Sequence, residues 1–184
     1  MDIKSLLESK KNIFDHVFYE FEMYYYSYKH LILINTISEE KCSDRWFLKN
    51  AIYESHSVHL RNLLHFFSAR GTININTVLK TNSEHGISEW DKKTQLINKA
   101  ISHIAIERTW EEFETSNLTL KMDNLIKEEF PQISHKVFLF LEQLSDKNNI
   151  DSTYVSDFEK ENIQQRYINL KKLYAPLPNN HEIL

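Results

Sequence analysis

Apolar and polar positions alternate along this chain with the period of helices. Ile3, Leu7, Phe14, Phe18, Phe21, Tyr25, Tyr28 and Ile32 recur in steps of three, four and seven, which predicts one long helix to about Thr36 with Asp2 as its cap. Lys10, Lys11 and Asn12 thin the stripe without breaking it. The run Tyr24-Tyr25-Tyr26 covers nearly all sides of that helix. Such a helix is buried on two sides, pairs in a dimer, or offers an aromatic platform for bases.

Ser38 to Ser43 reads as a polar connection. Ser43 or Asp44 can cap a second helix, which runs to Arg70 with Gly71 as its stop. Thr72 to Gly86 reads as a loop with at most a short helical turn. Ser88 with Asp91 resembles a capping box and opens a third helix. Trp90, Ile97, Ile101 and Ile104 share a face of it, and its end falls between Glu107 and Glu114. A further helix spans roughly Leu118 to Phe130. Pro131 then starts a new helical segment or kinks the old one, and Val137 to Leu144 continues as an apolar element. Ser156 with Glu159 opens a last helix through about Leu173, with Phe158, Ile163, Tyr167, Leu170 and Tyr174 as its stripe.

Composition supports this all-helical reading. The 184 residues include only 2 Gly and 3 Pro, and turn-rich β folds need many more of both. The expected fold is an all-α, up-and-down bundle of four to five helices over residues 1–145. Residues 146–184 add a C-terminal helix on the same domain and a loose tail. The net charge is -4, which argues against duplex-DNA specificity. The single cysteine, Cys42, cannot form an internal disulfide, as expected of a cytoplasmic protein. The charged start shows no signal peptide, and no apolar run has the length of a membrane span.

The stretch Glu54 to Phe67 concentrates the candidate chemistry. Projected at about 100° per residue, it places Ile52, Leu60, Leu63 and Phe67 at the centre of an apolar arc, with His56 and His59 inside that arc. Ser55 and Asn62 lie at its edge, and Glu54, Arg61 and His65 form a separate polar arc. The inward histidines are either metal ligands or core groups bonded to neighbours, with Asn62 as a candidate partner. Arg61 with His65 combines a permanent cation with a group that moves protons near neutral pH, or is a solvated face. In the third helix Lys99, His103 and Glu107 line one flank at four-residue steps. Arg108 falls in line with the apolar face and there needs a carboxylate, such as Glu54.

Taken together, Glu54-Ser55, His59, Arg61-Asn62-Leu63 and Phe66-Phe67, then Asn98-Lys99, His103 and Arg108, resemble a set of bacterial helical proteins whose layout is similar to HEPN domains. The resemblance covers about Ala51 to Trp110. It implies a helical bundle that dimerises and an RNA-directed role. In active HEPN domains that role is a metal-independent ribonuclease, common in toxin–antitoxin and phage-defence systems. Their signature is an Arg and a following His with four to six residues between them. Carried over, it makes Arg61, Asn62 and His103 the expected catalytic set. Glu54, His59, His65, Lys99, Glu107 and Arg108 are supporting residues, with no cofactor and no metal. The chain departs from that signature before His103, where Leu96, Ile97 and Asn98 stand, so Arg61 or Arg108 must replace the missing Arg in space. Two alternatives stay open. One is a non-catalytic dimeric module that binds a protein or nucleic-acid partner. The other is a metal-dependent bundle enzyme using His56, His59, His103 and Glu54.

Overall fold

A computed structural model describes residues 13–35, 43–68, 74–79, 92–98, 116–146, 149 and 161–175. Its elements are α1 (Ile13–Asn35), α2 (Asp44–Phe67), the short α3 (Ile75–Val78), α4 (Ser116–Leu144) and α5 (Glu161–Tyr174). Residues 92–98 form a further helical segment. The described elements are all helical, as the periodicity predicts. No helix among the described residues is long and apolar enough to cross a membrane.

The helix α1 is the axis of the assembly. It packs along α2 and against α5, while α4 meets both α5 and α2. Phe14, Phe18, Phe21 and Tyr24 point inward from α1 and are fully buried. Around Phe21 the long helices each contribute a ring. Phe67 stacks on it at 6.3 Å, and Phe66, Phe140 and Tyr174 approach edge-on at 6.1, 5.7 and 6.3 Å. These are the offset and edge-to-face geometries that aromatic quadrupoles favour. The Tyr174 hydroxyl also donates to the Phe21 carbonyl at 2.7 Å, tying the end of α5 to the middle of α1.

The tyrosine run is largely used inside the chain. Tyr24 stacks on His56 at 4.9 Å and on Phe130 at 5.5 Å. Tyr28 stacks on Phe130 at 3.5 Å, and Tyr25 meets Tyr174 edge-on at 5.5 Å. A continuous base-stacking platform over Tyr24 to Tyr28 is therefore not present; Tyr26 alone of the run is exposed. Burial pushes the Tyr24 hydroxyl well above the ordinary tyrosine range, helped by Tyr174 and Glu129 nearby.

Helix ends follow from local chemistry. Ser43 caps α2, its Oγ accepting from the Trp46 N–H at 3.2 Å, and Asp44 sits in the first turn, where the helix dipole favours an acid. The helix ends at Phe67, short of the expected Arg70. There the Ser68 N–H reaches the Leu64 carbonyl and the Ser68 hydroxyl the His65 carbonyl, so terminal carbonyls are satisfied before Gly71 is reached. The expected loop of residues 72–86 contains α3, whose Ile75 and Val78, with Leu79, are core residues.

Pro131 neither restarts nor divides a helix: α4 runs unbroken from Ser116 to Leu144. Leu125, Ile126, Ile133, Val137, Phe140, Leu141 and Leu144 form one buried stripe across it, while Pro131 itself is exposed. Packing on both sides of the proline holds the helical path that the missing N–H weakens. Arg166 of α5 grips α1. Its Nε and Nη2 donate to the two Glu22 oxygens at 3.1 and 2.9 Å, and Nη1 donates to Asp15 at 3.0 Å. The Glu22 bonds, more than the Asp15 charge, raise the Arg166 pKa against the lowering effect of burial.

Phe21→Ala removes the ring on which the four long helices meet. It is expected to cost about 3–5 kcal/mol in urea unfolding, more than the same change at any of the partly buried rings. Pro131→Ala restores an N–H in mid-helix at an exposed position. Stability is expected to rise by about 1–3 kcal/mol, measured as a higher urea midpoint at unchanged m-value.

Candidate functional site

The helix α2 lies between α1 and α4, so its chemistry divides between two flanks. His56 and His59 face α1. Both are buried, at 0% and 8% exposure. The Ser27 hydroxyl donates its one proton to the Tyr24 carbonyl at 3.1 Å. The 2.9 Å bond between Ser27 Oγ and His56 Nδ1 must then be donated by the ring, which leaves His56 Nε2 as a buried acceptor with no partner among the described residues. Burial, then the neighbouring His59, lowers the His56 pKa to about 3, against a smaller raising effect of the Tyr24 backbone. His56 is therefore neutral throughout the physiological range.

His59 takes a different partner. Its Nδ1–H donates to Glu20 Oε2 at 2.7 Å, and the Tyr19 ring meets the imidazole edge-on at 5.8 Å. Asn62, expected to serve these histidines, partners neither of them. Ser27 and Glu20, which do, are both on α1. The core-histidine reading thus holds for the pair. Among the described residues no three His, Cys, Asp or Glu side chains are grouped so as to hold a metal ion.

Arg61 lies roughly 160° around α2 from His59 and faces the segment 92–98. Its Nη1 donates to Asn98 Oδ1 at 3.4 Å across an exposed surface. That segment is anchored from below. Lys93 Nζ pairs with Glu129 Oε1 at 2.6 Å, the carboxylate being almost fully buried, and Ile97 enters the core. Glu54, Arg61, Asn62 and His65 are all half-buried. The structure therefore brings Arg61 to Asn98, the first residue of the second motif. Lys99, His103, Glu107 and Arg108 lie outside the described residues.

Sequence reasoning missed Glu20, Ser27 and Glu129. A signal existed for Ser27, which falls at the edge of the apolar arc of α1, one turn from Tyr24 and Leu31. Glu20 and Glu129 carried none, because an isolated carboxylate on a helix looks solvated until its partner is known. No protein-family model matches this chain, and no curated protein or solved structure matches it.

The His56 environment dictates an acid limb in stability. Above pH 6.5 the ring is neutral both folded and unfolded. Below that the unfolded chain takes up a proton that the folded chain refuses until about pH 3. The folded state should lose about 1.4 kcal/mol per pH unit from this group across that window. Urea midpoints measured from pH 7 to pH 4 should fall more steeply for the wild type than for His56→Phe. Parallel pH profiles would show that His56 takes up its proton in the folded state.

Proposed function

We propose that this chain is an RNA-directed helical protein of HEPN-like type that cleaves phosphodiesters without a metal ion. The observation that carries the reading is the Arg61–Asn98 bond at 3.4 Å. It joins the two stretches that hold the resemblance and sets a permanent cation beside the second of them. Both side chains are accessible to a polyanion, and a guanidinium holds non-bridging phosphate oxygens in a forked geometry.

In this reading His103 takes the proton from a ribose 2′-hydroxyl. The 2′-oxygen bonds to phosphorus, the bond to the 5′-oxygen breaks, and the departing oxygen takes up a proton. The products are a 2′,3′-cyclic phosphate and a 5′-hydroxyl. Arg61 stabilises the charge that gathers on phosphorus oxygens, and Asn62 and Asn98 orient the strand.

A second reading, a binding module without catalysis, draws on the two histidines of α2 facing α1. Both give their Nδ1–H to α1 and so serve the fold.

Labelled RNA incubated with purified protein separates the two. Cleavage should persist in EDTA, fall about 10²–10⁴-fold in His103→Ala and fall as clearly in Arg61→Ala. RNA retention without cleavage, weakened by Arg61→Ala, would favour the binding module. Cleavage that needs a metal, or that ignores both substitutions, would overturn the proposal.

A further inference from the structure

The outward face of α1 has a pattern that its inward face does not explain. The buried residues Phe14, Phe18, Phe21 and Tyr24 lie on one side. Diametrically opposite run His16, Tyr19, Met23, Tyr26, His30 and Leu33, at steps of three, four, three, four and three. That is a heptad seam, the spacing by which one helix packs against another. Three of its members are large and exposed: Tyr19 at 48%, Tyr26 at 45% and Leu33 at 53%. They sit seven residues apart, with Tyr26 at the centre.

The three large exposed groups of the stripe are symmetric about Tyr26, Tyr19 and Leu33 standing seven residues to either side, and Glu22 and Lys29 lie at nearly equal distances from it with opposite charge. On one flank Asp15, Glu22 and Lys29 also recur at seven-residue steps. The two carboxylates towards the N-terminus share the single guanidinium of Arg166, which leaves that half net negative. Lys29, exposed, makes the other half positive. Reversing such a helix end for end restores the apolar pattern and inverts the charges. In antiparallel pairs like flanks face each other, so opposite charges meet. In a parallel pair this flank would meet the side of Glu20, Ser27 and Ile34, which offers Lys29 no matching row of acids.

We propose that the outward face of α1 is a homodimer interface in which two copies of this chain pair their α1 helices antiparallel about Tyr26. Tyr26 then meets its own copy on the two-fold axis, Tyr19 lies against the partner's Leu33, and Met23 lies between the partner's Lys29 and the partner's His30. Lys29 reaches the partner's Glu22. The seam spans about 21 Å from Tyr19 to Leu33. Such an interface is isologous and closes on itself. It is modest in area and carries two histidines, so affinity is in the micromolar range rather than that of an obligate dimer. This inference does not depend on the RNA reading.

Sedimentation equilibrium of the full chain, from a few to several hundred micromolar, tests it. The wild type should show a reversible monomer–dimer equilibrium. Tyr26→Glu and Leu33→Glu, both at exposed positions, should each raise the dimer Kd at least tenfold with the circular dichroism spectrum unchanged, and Lys29→Glu should raise it by less. Orientation is read by cysteine crosslinking in a Cys42→Ser background. Tyr19→Cys and Leu33→Cys chains should oxidise together into a mixed disulfide dimer, and neither should crosslink with itself. A monomer at every concentration, a dimer indifferent to both glutamate substitutions, or Tyr19→Cys chains that crosslink with themselves would each overturn the proposal.

Discussion

Everything in this fold leans on the aromatic contact at Phe21. A single ring receives Phe66 and Phe67 from α2, Phe140 from α4 and Tyr174 from α5. Aromatic residues lend themselves to this because each buries a large area while losing few rotamers. The geometry also fixes direction. A ring that accepts edges on one side and a face on another sets the rotation of each helix about its axis. That rotation sends His56 and His59 of α2 towards α1 and Arg61 towards the segment 92–98.

The same rotation explains why the densest chemical stretch of the chain is not one site. Residues two apart on a helix look in nearly opposite directions. His59 is therefore engaged by Glu20 while Arg61 is engaged by Asn98. The histidine side is a polar seam within the core, where each ring gives its Nδ1 proton to α1 and burial keeps His56 neutral. The arginine side is open. A helix of this kind does two jobs, one structural and one exposed, and its sequence does not announce where the division falls.

The helical class, the α5 stripe from Ile163 to Tyr174, the cap at Ser43 and the first half of the buried face of α1 were legible from spacing, because period and capping are local properties; beyond Phe21 the buried positions are Tyr24, Ser27 and Leu31 rather than Tyr25, Tyr28 and Ile32. The inward position of His56 and His59 was legible for the same reason. What they bond to was not. Glu20 and Ser27 lie 39 and 29 residues away from their histidines; the place of Ser27 at the edge of the apolar arc marks it as inward, but nothing local says which group either residue meets. Pro131 left two courses open, a fresh start or a kink within one helix, and the helix that runs through it excludes only the first. Its local rule is sound, but the stripe from Leu125 to Leu144 is long enough to hold the helix through it. The same limit hid Glu129, whose ion pair with Lys93 fixes the segment that carries Asn98.

The closure of α5 onto α1 has a bearing on how the chain comes into being. Arg166 and Tyr174 meet residues 144 to 153 positions earlier. During synthesis α1 is therefore made long before α5, the partner that completes its packing. Until Tyr174 has cleared the ribosome, the row of phenylalanines along α1 has no complete cover. The nascent chain carries an unfinished aromatic surface while the residues between α1 and α5 are made, so this part of the core closes late. During that interval the exposed phenylalanines are the part of the chain most open to association with other chains.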